Sequence, residues 1–167
     1  MHDSTTDVLR ALLVERSVAT LATLHEGRPA ASMIPFAVHV SDGAPVLVTH
    51  VSSLAAHTRD MIASPEVCLL VTAAESPGQM PQSLARVSLP AVATFVPPDH
   101  PDHAPLKATY LAKFPDAADL FMLGDFSIVA LTPTSARLVA GFARAHTLPP
   151  TALADALAQA HPRRPLP

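Results

Sequence analysis

"THVSSLAAHTRDMIASPEVCLLV", Thr49–Val71, carries the end of one strand, a short helix and the whole of the next strand. The apolar run from Val46 to His50 reads as strand. Two serines interrupt it. Over Ser52–Ser64, Leu54, Thr58 and Met61 recur on one predicted helical face, with Ser52 or Ser53 as the N-cap and Pro65 just beyond the end. Glu66–Ala74 returns to strand. The helix start thus gathers two hydroxyls, His57 and Arg59. Hydroxyls, cations, free backbone N–H groups and the positive end of a helix dipole together suit an anion such as phosphate. The plainer reading is an ordinary cap with a solvated helix face.

Working outward, Val8, Leu9, Leu12 and Leu13 have helical spacing, with Ser4 or Thr5 as N-cap. Thr20–Leu24 reads as strand, His25–Pro29 as a turn, and Ala30–Val40 as a second strand. Ser41–Pro45 turns into the strand that opens the quoted stretch, so two hairpins follow in succession. Glu75–Ser83 is a loop. Leu84–Pro97 is a fifth strand, in which Pro90 predicts an edge or a bulge. Asp99–Phe121 holds a turn, then helical segments broken near Pro115. Phe126–Phe142 is a last strand or hairpin, Thr151–Ala160 a helix, and His161–Pro167 a frayed tail. Several short strands with few helices predict a mainly β chain with peripheral helices, built as a small closed or partly open barrel, or else a sandwich. Closure would remove exposed strand edges from an apolar sequence.

Composition narrows the function. Of 167 residues 49% are hydrophobic and only 15% charged, so part of the apolar surface is expected to meet a second subunit or a ligand. The net charge of -3, with no basic block and 4% aromatics, argues against nucleic acid as the partner. No run of 18 apolar residues predicts a membrane span, and the first residues lack the pattern of a secretory signal. Cys68 is the single cysteine, which excludes an internal disulfide and points to the cytoplasm. It reads as a buried, inert thiol. His100 and His103, in a turn with two aspartates, match no closed four-ligand metal pattern. No metal site is expected. GxSxG, GxGxxG and P-loop motifs are absent from the sequence.

Five segments in order, "LATLHEGRPAASMIPFAV", "THVSSLAAHTRDMIASPEVCLLV", "ARVSLPAVATFV", "YLAKFPDAADLFMLGDFSIVALTP" and "ARLVAGFARAH", resemble the pyridoxamine 5'-phosphate oxidase-like FMN-binding split barrels, and within them the heme-utilisation branch. The resemblance covers roughly Val8 to His146. It implies a split-barrel domain over residues 1–148, a C-terminal helix and tail over 149–167, and a homodimer with cofactor sites between its subunits. It implies FMN as cofactor, held through Ser32, Met33 and Pro35 on the second strand, Thr49 and His50 at the end of the third, Ser52, Ser53, His57 and Arg59 around the helix start, and Arg86. Many relatives carry lysine where this chain has His57, so a permanent charge is replaced by one that is partial at neutral pH. The branch offers heme as the alternative ligand, with Asp125, His146 and His161 as the residues to hold it. The family's "GGFG" reads Ala140-Gly141-Phe142-Ala143 here. Pyridoxamine phosphate is not the expected substrate, because the C-terminal tryptophan pattern of the longer oxidases is missing. The expected functions, in order, are a flavin-dependent oxidoreductase acting on a small molecule, a heme-binding or heme-degrading protein, and a cofactor-binding dimer without turnover.

Overall fold

The computed structural model describes residues 5–41, 44–141 and 145–158. Helix α1, Thr5–Glu15, leads into strands β1, Val18–His25, and β2, Arg28–Pro35. These form a hairpin whose two-residue turn has positive φ at both Glu26 (50°) and Gly27 (76°). That geometry matches the right-handed twist of the flanking strands. After Phe36 the chain continues as β3, Ala37–Ser41, which pairs with β4, Ala44–Ser52. Helix α2, Ala56–Ala63, precedes β5, Glu66–Thr72, and a loop leads to β6, Arg86–Val96. Then come α3, His103–Lys113, a 3-10 segment over Pro115–Met122, β7, Phe126–Pro133, β8, Ala136–Val139, β9, Ala145–Leu148, and α4, Pro150–Ala158.

The sheet runs in the order β2-β1-β5-β6-β7-β4-β3. Because β2 and β3 flank the single residue Phe36, they are one bent strand. Its first half pairs with β1 and its second with β4, which closes the sheet into a barrel. The predicted barrel is therefore realised, and the sandwich is not. Alternation along the strands fills the inside: Ala19 and Leu21 of β1, Val67, Leu69 and Val71 of β5, Val87 and Leu89 of β6. Leu9, Leu12 and Leu13 of α1, with Leu153 and Ala156 of α4, join this same core. Each such leucine is worth roughly 1.5–3 kcal/mol of burial. A second cluster forms outside the barrel, where Leu106 and Tyr110 of α3 cover Ala37, Val48, Val96 and Ile128.

Four expectations change. The residue at the α2 N-cap is Ala55, with no side-chain hydrogen bond, so neither Ser52 nor Ser53 caps the helix. Ser52 is still the last residue of β4 and bonds elsewhere. Thr58 and Met61 are buried as expected, but Leu54 precedes the helix and is 79% exposed. Pro90 sits in a central strand, at the point where β6 changes partner from β8 to β7. There its carbonyl accepts the Thr134 N–H, and a residue without its own N–H is tolerated because the ladder is interrupted. Finally, β7 and β8 form no hairpin: both run along β6, one after the other.

Candidate functional site

Beyond the Ala37–Val48 pair, β2 and β4 remain neighbours without a ladder between them. This parting is the split in the barrel. Thr49, Ser32 and His50 belong to these two strands. Among the described residues, the Oγ1 of Thr49 and the Oγ of Ser32 are buried and find no hydrogen-bond partner. Buried hydroxyls normally find a partner, so two orphans in this region mark where polar contacts are left open. Met33 is 65% exposed beside them, and Pro35 is half-buried.

His50 faces the other way, onto the outer cluster. Its ring stacks on Phe121 at 3.7 Å and 5°, with Tyr110 and Phe126 nearby. Burial, aided by Lys107 and His103, lowers its pKa to about 4, so it is a neutral packing group at physiological pH.

The donors around α2 are largely engaged with the protein itself. Ser52 Oγ donates to Asp125 Oδ2 at 2.7 Å and accepts the Leu54 N–H at 3.1 Å. The Ser53 N–H donates to the Asp125 carbonyl at 2.7 Å. Thr58 Oγ1 donates to the Ser52 carbonyl, and Arg59 Nη1 to the Leu54 carbonyl. His57 is half-buried, and burial lowers its pKa, which favours the neutral ring. Thus Ser52, Ser53, His57 and Arg59 are brought together, but beside the carboxylate of Asp125 and with little free positive charge. Among the described residues around α2, a phosphate would meet Arg59 alone as a permanent cation.

Arg86 and His146 are elsewhere. Arg86 pairs with Val139, and His146 pairs with Leu138, which pairs with Val87. Asp125 lies at the opposite end of β6, since Val96 pairs with Ile128 and Ser52 with Phe126. Val87 and Val96 are ~30 Å apart along extended strand. Within one chain, His146 and Arg86 therefore do not share a ligand with Ser52 and Asp125. His161 lies outside the described residues, as do Phe142 and Ala143.

One constellation escaped sequence reasoning. Asp60, 5% exposed, accepts from Thr23 Oγ1 at 2.9 Å and bonds His25 Nδ1 at 2.7 Å. An aspartate on the inner face of a short amphipathic helix was the available signal. The turn with His100 and Asp102 folds on itself, the Asp102 N–H donating to His100 Nδ1. Among the described residues, no three His, Cys, Asp or Glu side chains gather as a metal set. No described helix is long and apolar enough to cross a membrane. Cys68 is half-buried in β5, where burial raises its pKa.

The closed barrel with one bent, splitting strand is the decisive feature, and comparison agrees with it: residues 5–140 match pyridoxamine 5'-phosphate oxidase. This chain belongs to that family. The non-canonical heme oxygenase HOZ, chloroplastic, of Arabidopsis thaliana is 38% identical over 128 residues, 77% of this chain and 37% of that protein. The chain thus spans little more than a third of that relative's length. A heme binding protein from Mycobacterium smegmatis superposes with a TM-score of 0.77 at 30% identity, covering 93% of this chain and 62% of the other. The heme storage protein HutZ from Vibrio cholerae does so at 0.64 and 27%, covering 75% and 84%.

Proposed function

We propose that this chain binds heme at the split of the barrel and degrades it, working as a homodimer in which each site is built from both copies. The similarity to a heme oxygenase over three quarters of the chain carries the reading. The site's chemistry supports it. The donors expected to cradle a flavin phosphate are engaged with Asp125 and with backbone carbonyls, and His57 is held toward its neutral form. This reverses the order reached from sequence, where flavin stood ahead of heme.

Heme would supply the iron chemistry, and the protein holds and orients it. A neutral imidazole is the form that ligates iron, and a carboxylate on its second nitrogen fixes the ring and raises its basicity. His146, exposed on β9, is the proposed ligand. Asp125 Oδ2 is engaged by Ser52, and its Oδ1 makes no hydrogen bond among the described residues. That oxygen is the proposed partner of an imidazole from the second copy. Ser32 and Thr49 hydroxyls would serve the polar edge of the ligand.

Adding hemin to the purified chain is expected to give a sharpened Soret band, and His146→Ala is expected to displace it. With a reductant and oxygen the band should decay with release of iron. Quenching of flavin fluorescence on adding FMN, with no Soret change on adding hemin, would restore the oxidoreductase reading, in which Arg59 is the phosphate contact and Arg59→Ala weakens FMN.

A further inference from the structure

The sequence contains only two lysines, Lys107 and Lys113. Lys107 is half-buried, with its ammonium 4.6 Å from the centre of the Phe121 ring. Lys113 has a different setting. It is at the end of α3, and its Nζ donates to the Arg16 carbonyl at 2.5 Å while lying 4.5 Å from the centre of the buried Phe36 ring. It lines an open cleft of about 420 Å³ between α1, β3 and α3, whose other walls include Leu13, Val14, Ala37 and Val38. Thr109, one helical turn before Lys113, lines the same cleft. Its hydroxyl is 2.8 Å from His39 Nδ1. None of these groups belongs to the split-barrel site.

We infer that Lys113, with Thr109 and His39 behind it, forms a second site that condenses with small uncharged aldehydes. The neutral amine adds to the carbonyl carbon, giving a carbinolamine. Loss of its hydroxyl as water leaves an imine, so that one amine and one aldehyde yield one imine and one water. The Arg16 carbonyl holds one N–H and orients the amine. The Thr109 hydroxyl, exchanging protons with His39, can deliver the proton that the departing hydroxyl needs. The walls favour an uncharged, partly apolar aldehyde, because among the described residues no side chain lining the cleft other than Lys113 is charged.

Burial supports the amine's availability. It lowers the Lys113 pKa to about 8. At pH ~7.5 roughly a quarter of such amines are neutral, against about one in a thousand for an ordinary lysine. The lower basicity removes part of that gain in nucleophilicity, and a substantial advantage remains.

The test uses the full chain, benzaldehyde and sodium cyanoborohydride, which reduces the imine to a stable secondary amine. Peptide mapping by mass spectrometry then compares Lys113 with Lys107 and the N-terminal amine. Lys113 is expected to label about tenfold faster than Lys107. Lys113→Arg, which keeps a donor for the Arg16 carbonyl, should remove that adduct with the circular dichroism spectrum unchanged. Thr109→Val should slow labelling severalfold, and 4-carboxybenzaldehyde should react more slowly than benzaldehyde. Equal labelling of the two lysines, or protection of Lys113, would overturn the site and leave a structural clasp between α1 and α3. An unchanged rate in Thr109→Val would overturn the proton route.

Discussion

Asp60 ties α2 to β1 through two side chains of one strand, and each bond has a pH window. The hydrogen bond from His25 is the main reason that the Asp60 carboxyl lies below its ordinary value, with Thr23 adding to it. The same bond, reinforced by the Asp60 charge, raises His25 above 6.5. Stability from Asp60 is present above its unfolded pKa near 4 and is lost as pH falls through the lower folded value. Stability from His25 is present below about 6.5 and is lost as pH rises through its raised value. The pair therefore stabilises most between about pH 4 and 6.5. The difference in melting temperature between the native chain and Asp60→Asn is expected to be larger near pH 5.5 than near pH 8.5. A pH-independent difference would show that Thr23 alone provides the tie. His50 acts in the opposite sense. With a folded pKa of about 4, it favours the fold above 6.5 and erodes that advantage as the unfolded chain takes up its proton below it. Titration by NMR should find the His50 ring neutral down to about pH 4 and His25 protonated above 6.5.

At the scale of elements, the chain announces most of its own structure. Alternation along Val18–His25 and Glu66–Thr72, and the apolar spacing of Leu9, Leu12 and Leu13, are local signals that survive into the fold unchanged. What misleads is information held by neighbours. Pro90 reads as an edge or a bulge because its partners are far along the chain; the edge is not found, and the β7–β8 break makes its place in a central strand harmless. Ser52 reads as a cap because nothing local shows that Asp125, 73 residues away, takes its hydroxyl. The β1–β2 turn offers a direct test of local strain. Glu26 holds φ at 50°, a region costing L residues with a Cβ roughly 1–2 kcal/mol. Glu26→Asn, a residue that visits this region readily, should stabilise the protein by about 0.5–1 kcal/mol in urea melts. A loss of stability would mean that the Glu26 side chain makes a compensating contact.

For the whole molecule, the barrel's register turns the candidate site into a question of assembly. The order of the five family segments made the fold legible from sequence, and Ser52, His57 and Arg59 do gather beside α2. Sequence order, however, says nothing about which end of a strand a residue occupies. Ser52 and Asp125 lie at one end of β6, and Arg86 and His146 at the other. One chain cannot close a ligand between these groups, whereas a two-fold axis can set one end of a barrel against the other end of its copy. This predicts complementation. His146→Ala and Asp125→Ala, each expected to lose heme turnover alone, are unfolded together and refolded as a mixture. Random pairing makes half the dimers mixed, and each mixed dimer holds one intact site and one doubly altered site. About a quarter of native activity should return. If both residues served a site within one chain, every site in the mixture would carry one lesion and no activity would return. Sedimentation of the mixture checks that dimers formed, so a null result would then remove the shared site itself.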